Sequence, residues 1–255
     1  VLVETEASAE GWSRADAWRP SREVGGSPGR SEEATTKAQQ RPGDTHQDGR
    51  VNLLDAITLL RHLSEEDGFA LLEESKPYHA RFIGVGLDSS EIGHPPSKFA
   101  RLFAKCRELG FKLCLHAGEE GPPQYVQEAL IDIGADRIDH GNRSMEDEGL
   151  LQVLRDTQTP LTNCPLSNLS LCVIDDLRQS PLKAQLEAGL LVTVNSDDPA
   201  YFGGYVNQNY QAIADALDLS NDQLIQLARN SFIAAFMSKA DKAKHLSEIE
   251  RSIAA

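Results

Sequence analysis

The chain has 255 residues, enough for one large domain or two small ones. Its 25 lysines and arginines stand against 39 aspartates and glutamates, which gives a formal net charge of −14. Such a surface repels a phosphate backbone and argues against nucleic-acid binding as the main function. No apolar stretch approaches the roughly 20 residues that cross a bilayer, and the first residues lack the order of a signal peptide. We therefore expect a soluble, cytoplasmic protein with no nucleic-acid or membrane partner.

Residues 1–50 lack the periodicity of a folded domain. After Val24, the next valine, isoleucine, leucine, methionine or aromatic residue is Val51, and the stretch between them is rich in glycine, proline and charge. We predict that 1–50 is a disordered, extended or non-native segment and that 51–255 forms the folded part. Trp12 and Trp18 are expected to be loosely held.

From residue 51, short β-type runs alternate with amphipathic stretches in which apolar residues recur at helical spacing. The predicted strands are ITLLRH (57–62), RFIGVGL (81–87), FKLCLHA (111–117), DRIDH (136–140), PLTNC (160–164) and LVTVNS (191–196). The predicted helices between them are 96–109, 122–133, 144–157 and 180–188, and three more helices fill the last third. This α/β alternation implies a parallel sheet, either open and doubly wound or closed as a (β/α)₈ TIM barrel. No GxGxxG or P-loop follows the first strand, which disfavours a dinucleotide-binding sheet.

The four cysteines include no CxxC pair, and three of them lie inside or beside apolar runs. They are Cys106, Cys114, Cys164 and Cys172. We predict buried, reduced thiols, as in a cytosolic protein.

Polar side chains cluster directly after the predicted strands. They are His116 and Glu119 in LCLHAGEE, His140 in RIDHGN, Ser167 and Asn168 in LTNCPLSN, and Asp197 and Asp198 in VTVNSDDP. In a parallel barrel the carboxyl ends of the strands meet on one face, and that face holds the active site. The sequence therefore predicts one pocket built from four strand ends.

The adjacent carboxylates Asp197 and Asp198 have two interpretations. Asp198, before Pro199, could simply cap a helix, but capping needs only one carboxylate. A second carboxylate at a buried strand end is unfavourable unless a cation or hydrogen-bond donors compensate it. With the imidazole of His116 nearby, the pattern favours Zn²⁺, which brings the pKa of bound water from about 15.7 to about 7. Hydrolysis of a C–N bond is the reaction class that fits.

The motifs HAGEE, IDHG, CPLSN and NSDDP occur in the order typical of the adenosine/adenine deaminase family of metal-dependent amidohydrolases. The run from about Ala56 to the C-terminus resembles that family, and VGLDSSEIGHPPSKF with VNSDDPAYFGGYV most resembles its adenine deaminases. The resemblance implies an eight-stranded TIM barrel, one zinc ion and hydrolysis of a small purine in purine salvage, from adenine to hypoxanthine and ammonia. The cytidine-deaminase zinc motifs are absent.

The resemblance also implies residue roles. His116 and Asp197 correspond to zinc ligands, Glu119 to the proton donor for the purine ring, and His140 to the residue that deprotonates the attacking water. Asp198 corresponds to the carboxylate that hydrogen-bonds N7 of the purine. Ser89 and Glu91, in LDSSE, lie where the family holds the purine edge and are predicted substrate contacts.

The printed sequence departs from the family at its start. The family's first barrel strand carries an H-x-H pair that supplies two zinc ligands, and no H-x-H occurs in these 255 residues. His46 lies alone in the polar segment and is not expected to replace either ligand. Six of eight strands are predicted, so the barrel would be incomplete and have two unpaired edges. We expect weak zinc binding and impaired deaminase activity.

Two other functions stay open at this point. The substrate could be adenosine or another adenine nucleoside within the same family. The chain could also be a barrel fragment without catalytic activity. Nothing in the sequence indicates the oligomeric state, or distinguishes zinc from iron.

Overall fold

The computed structural model of the chain describes residues 64–254. The predicted segment 1–50, with Trp12, Trp18 and His46, and the predicted strand at 57–62 lie outside the described residues.

The described residues form five strands, ten α-helices and several shorter helical turns. The strands are β1 Gly84–Leu87, β2 Lys112–Ala117, β3 Arg137–His140, β4 Leu161–Asn163 and β5 Val192–Val194. The helices are α1 Glu65–Glu74, α2 Ala100–Glu108, α3 Pro123–Gln127, α4 Glu148–Thr157, α5 Pro165–Ser170, α6 Leu182–Glu187, α7 Pro199–Phe202, α8 Val206–Leu217, α9 Asn221–Ala234 and α10 Lys239–Ile253. Short 3-10 helices occupy Lys76–Arg81, Pro96–Phe99, Asn142–Glu146 and Leu177–Gln179, and a π-helix spans Glu128–Ile133.

The five strands make one parallel sheet in the order β1-β2-β3-β4-β5. Each strand lies within one of the predicted runs, so the predicted α/β architecture is confirmed for these five. A doubly wound sheet reverses its strand order at a switch point, whereas a barrel adds each strand beside the one before it. The strictly sequential order is therefore that of a (β/α) barrel wall.

The strand register explains where the core lies. One row of side chains runs across all five strands and is fully excluded from solvent: Leu87, Leu115, Ile138, Leu161 and Val192. Because successive side chains of a strand point to opposite faces, this row marks the apolar face of the sheet. The covering helices bury apolar side chains of their own, among them Phe103, Val126, Leu154, Leu182, Ile213 and Leu227.

The next row of the register, one residue further along the strands, is polar. It consists of His116, Asp139, Thr162 and Thr193, which are register partners across β2 to β5. These residues point to the face opposite the apolar row. The sheet thus separates an apolar layer under the helices from a polar layer that leads to its carboxyl edge.

β1 and β5 are the outer strands of the described sheet. On β5 the carbonyl of Val192 accepts a hydrogen bond of 2.8 Å from the buried side chain of Asn230, on α9. A helix therefore covers part of this outer edge and satisfies one of its backbone acceptors.

Cysteine placement agrees with the sequence prediction at three positions and not at the fourth. All four cysteines are free; Cys106, Cys114 and Cys164 are buried, but Cys172 is exposed. The prediction of a buried Cys172 was wrong because this residue lies in the turn after α5, with a positive φ of 57°. Within residues 64–254, no helix has the length and apolarity to cross a bilayer.

Truncating a buried leucine of α2 should be far more costly than truncating an exposed one beside it. Leu102 is 3% exposed and Leu109, directly after α2, is 43% exposed. We expect Leu102→Ala to lower the free energy of unfolding by about 2–5 kcal/mol, because it leaves a cavity under the sheet. Leu109→Ala is the matched control and should cost less than half as much. Urea unfolding of both variants measures the difference, and equal losses would contradict this core assignment.

Candidate active site

The carboxyl edge of the sheet gathers ionisable side chains from three strand ends. The rings of His116, from β2, and His140, from β3, lie edge to face with centroids 4.8 Å apart. His140 Nδ1 is 3.3 Å from a Glu119 oxygen, and His140 Nε2 is 3.8 Å from an oxygen of Asp197. The structure thus brings together four of the seven predicted site residues, with His140 at the centre.

His140 reaches this position through an unusual backbone conformation. Its φ is 65°, in the left-handed region that a side chain with a Cβ seldom adopts. In a regular strand His140 would share the apolar face with Ile138, two residues before it. The left-handed turn ends the pleat at His140, and its ring meets His116, which belongs to the polar face. Ser89 and Asp197, after β1 and β5, also have positive φ values of 80° and 55°.

A relay of asparagine side chains fixes Glu119. Asn163 donates to Asn142, and Asn142 donates to the Asn168 oxygen, each at 2.9 Å. The Asn168 amide nitrogen therefore faces the ionisable groups: it donates to Glu119 at 3.0 Å and lies 3.1 Å from His140 Nδ1. All three asparagines are at least 93% buried, so this orientation is protected from water.

The environment of Glu119 favours its protonated form. The side chain is buried, and burial raises the pKa of the carboxyl because it penalises the charged state. The nearby carboxylates of Glu91 and Asp197 raise this pKa further, whereas the His140 ring opposes the change. A carboxyl with a raised pKa can hold a proton closer to neutral pH and deliver it to a bound molecule.

Asp88 and Asp139 flank the two histidines. An Asp88 oxygen is 3.3 Å from His116 Nε2, and both side chains are largely buried. Burial alone would raise the pKa of Asp139, but Arg137, His116 and the Thr162 hydroxyl together lower it. Thr162 donates to this carboxylate at 2.9 Å. Asp139 therefore supplies a negative charge beside the histidine pair.

Metal-ligating atoms converge around His140 in two overlapping groups. One consists of His116, Glu119 and His140, and the other of His140, Cys164 and Asp197. Within each group the ligand atoms lie within 4.8 Å of one another. Ser167 donates to the Asp197 carboxylate at 2.6 Å, which orients that group. Imidazole and carboxylate donors in this arrangement suit a metal ion such as zinc.

Asp198 and Ser89 lie on exposed loops at the same edge. Asp198 precedes α7, but its side chain makes no capping hydrogen bond, so the simple capping interpretation is not supported. Ser89 follows β1 and is also exposed. Both remain accessible to a bound molecule.

Glu91, predicted as a substrate contact, is placed differently. Its side chain is only 1% exposed, and its two oxygens accept hydrogen bonds from backbone amides of Gly118, Glu119 and Gly121. A contact with a substrate would have to compete with these three amides. The role of Glu91 as a substrate contact therefore stays a prediction, and in the structure its carboxylate holds the backbone of the loop 118–121.

Sequence reasoning missed several residues that support the site. They are Asp88, Asp139, Asn142 and Asn163. All four stand inside the quoted motifs LDSSE, RIDHGN and LTNCPLSN, and a search for buried polar positions at strand ends could have found them. Nothing in the sequence shows that Asn163 and Asn142 point at each other, because 20 residues of a crossover separate them.

Removing the Glu119 carboxyl should change how stability depends on pH. Because the folded-state pKa of Glu119 is raised, its carboxyl keeps its proton up to a higher pH in the folded chain than in the unfolded chain. The associated stabilisation is full below the ordinary value of 4.5 and is lost as pH rises through the folded-state pKa. We therefore expect the unfolding free energy of Glu119→Gln, minus that of the wild type, to increase with pH above 4.5 and then to level off.

Thermal unfolding of both proteins from acidic to neutral pH, with a chelator present, measures this difference. Glu120→Gln is the control, because the exposed Glu120 raises the Glu119 pKa less than burial, Glu91 or Asp197 does, so its stability difference should vary far less with pH. A Glu119→Gln difference that does not vary with pH would contradict the assignment.

Comparison with known proteins shows to which family the chain belongs. The family model described as adenosine deaminase matches residues 50–252. An adenine deaminase from Sphingopyxis alaskensis is 61% identical over 194 residues, covering 76% of this chain and 57% of that protein. One from Paraburkholderia xenovorans is 54% identical over 211 residues, covering 81% of this chain and 60% of that protein.

Two solved structures share the fold of this chain. An adenine deaminase from Arthrobacter aurescens, 46% identical, matches with a TM-score of 0.75 and covers 78% of this chain and 61% of that one. A zinc-bound amidohydrolase from Burkholderia ambifaria, 22% identical, shares the fold with a TM-score of 0.68, covering 76% of this chain and 57% of that one. The chain spans 57% and 60% of the length of the two sequence relatives. With its sequential parallel sheet and its histidine and carboxylate cluster, the chain belongs to the adenosine deaminase family.

Proposed function

We propose that this site performs the hydrolytic deamination of adenine to hypoxanthine and ammonia. The observation that carries the proposal is the buried Glu119 carboxyl, held by Asn168 beside His140, whose environment raises its pKa. A proton donor next to a proton acceptor, with metal ligands on either side, suits addition of water to a C–N bond.

The residues divide the reaction between them. The oxygen of water adds to C6 of the purine while His140 takes a proton from that water and Glu119 gives its proton to ring nitrogen N1. His140 then passes its proton to the amino nitrogen, the bond between C6 and that nitrogen breaks and ammonia leaves, and the hydroxyl on C6 returns its remaining proton to the Glu119 carboxylate as the C6 carbonyl forms. Adenine and water become hypoxanthine and ammonia, so atoms and charge balance. Asp198 and Ser89 are proposed contacts to the purine, which their exposure at the carboxyl edge permits.

His116 and Asp197 would hold a zinc ion, since both lie against His140 in the two metal-ligating groups. Zinc supplies a Lewis acid and lowers the pKa of a water that it binds. Ser167 would keep the Asp197 carboxylate oriented through its 2.6 Å hydrogen bond. The chemistry of these nitrogen and oxygen donors fits zinc.

Adenine, rather than a nucleoside, is supported by the relatives. The matched proteins with identities of 61%, 54% and 46% are named adenine deaminases.

We also propose a cytoplasmic location, which the four free thiols support. A division of the chain near residue 50 is supported by the start of the family match at that residue.

The chain as printed should bind zinc weakly. We expect less than stoichiometric zinc by elemental analysis, because the 255 residues contain no H-x-H pair to complete the ligand set. The residual zinc affinity should fall further in His116→Ala and Asp197→Asn, whereas His245→Ala, on α10, is the control and should match the wild type. Near-stoichiometric zinc together with ammonia release from adenine would overturn the expectation of an impaired site.

Supplying the missing ligands tests the function itself. We expect a fusion that adds the part of the Sphingopyxis alaskensis adenine deaminase outside the matched 194 residues to convert adenine to hypoxanthine. Because Glu119 is the proton donor, Glu119→Gln in that fusion should lose at least about a hundredfold in kcat/KM, while Glu120→Gln should retain activity. Hypoxanthine and inosine are both measured by chromatography. Inosine from adenosine would instead favour the nucleoside substrate, and no product from either would favour a non-catalytic fragment.

A further inference from the structure

Glu91 forms a buried anchor for the loop that carries Glu119. Its Oε2 accepts from the amides of Gly118 and Gly121, each at 2.9 Å, and its Oε1 accepts from the Glu119 amide at 3.0 Å. Hydrogen bonds to a charged acceptor are about twice as strong as neutral ones. Three of them from the amides of one loop, at Gly118, Glu119 and Gly121, enclose the carboxylate as backbone nests enclose anions. The loop after β1 is thereby tied to the loop after β2.

Two glycines of this loop leave no room for a Cβ, and at Gly121 the close neighbour is Glu91 itself. A Cβ added at Gly121 would collide with Glu91 Oε2 and with the Tyr125 ring. Gly118 has a φ of 72°, and a Cβ there would approach Val126 to 2.6 Å. The absence of a side chain at Gly121 therefore lets the backbone approach the Glu91 carboxylate, and Gly118 supplies the left-handed turn and fits beside Val126.

The backbone that Glu91 anchors belongs to Glu119, the proposed proton donor. The Glu119 amide is one of the three donors to Glu91, and the Glu119 carboxyl, at the other end of the same residue, accepts from Asn168. Glu119 is thus fixed at both ends: its backbone by Glu91, from the β1 loop, and its carboxyl by Asn168, in α5. A change at Glu91 should therefore move the Glu119 carboxyl relative to Asn168.

We propose that Glu91 is a positioning residue for Glu119 and not a contact to the substrate. This inference rests on the proposed function for the role of Glu119, but its structural part can be tested without activity. The Asn168 side-chain amide reports the position of the Glu119 carboxyl, because it donates to that group directly.

The test is ¹H–¹⁵N NMR and amide hydrogen exchange on the full chain carrying Glu91→Gln. A Gln side chain turns one acceptor into a donor that faces backbone N–H groups. We expect exchange to accelerate by roughly tenfold or more at the amides among Gly118, Glu119 and Gly121 that face the new NH₂ group, because they lose their acceptor, and to accelerate less at those that keep a neutral oxygen. The Asn168 side-chain signals should shift, and Glu119→Gln supplies the reference for that shift.

Glu120→Gln is the matched control, because it changes the exposed neighbouring carboxylate and should leave the Asn168 signals unchanged. If Glu91→Gln does not fold, Gly121→Ala tests the same contact from the opposite side, and Glu91→Asp should retain part of the amide protection. Wild-type protection in these variants, or lost protection with unchanged Asn168 signals, would overturn the proposal.

Adenine titration of the fusion described under the proposed function separates this proposal from that function. We expect Glu91→Gln to weaken adenine binding and the double variant with Glu119→Gln to lose no more than Glu119→Gln alone, as for residues that act through one another. Additive losses would indicate an independent role for Glu91 and contradict the proposal. If the fusion does not bind adenine, the proposed function fails, while the NMR result on the chain itself still decides whether Glu91 positions Glu119.

Discussion

A buried polar group must find a hydrogen-bond partner, and this constraint organises the carboxyl edge of the sheet. The site needs a carboxyl group and an imidazole away from water, and neither is tolerated there alone. Asn168 satisfies Glu119, Asn142 orients Asn168, and Asn163 in turn orients Asn142. Asn142 and Asn168 are each oriented by the asparagine before them, so the Asn168 amide nitrogen faces Glu119.

Backbone strain makes a second contribution. His140 and Asp197 adopt positive φ values, and each such residue costs on the order of 1–3 kcal/mol. The cost is tolerated because the surroundings determine both side chains: Ser167 holds Asp197, and Asn168 and Glu119 lie against His140. The positive φ of His140 changes the face of the sheet to which its side chain points. Strand β3 delivers His140 to the polar side of the sheet although its position in the pleat belongs to the apolar side.

The two layers of the sheet follow from the register. The apolar row that includes Leu115 and Ile138 packs under the helices and stabilises the fold, while the polar row that includes His116 and Asp139 lies one residue further along. A slip of one residue between neighbouring strands would exchange these faces. Fold stability and site assembly therefore depend on the same parallel pairing, and this is why residues far apart in the chain meet at one edge.

The sequence alone determined the alternation of strands and helices, the parallel sheet and the candidate residues at the strand ends. These features follow from local hydrophobic periodicity and from short motifs. The tertiary structure decided what the motifs could not state: Glu91 lies under the Glu119 loop, and Cys172 is exposed. It also decided that Asn163 and Asn142 complete the support of Asn168. Such contacts join residues more than 20 positions apart, and only the packed sheet determines which polar atoms face one another.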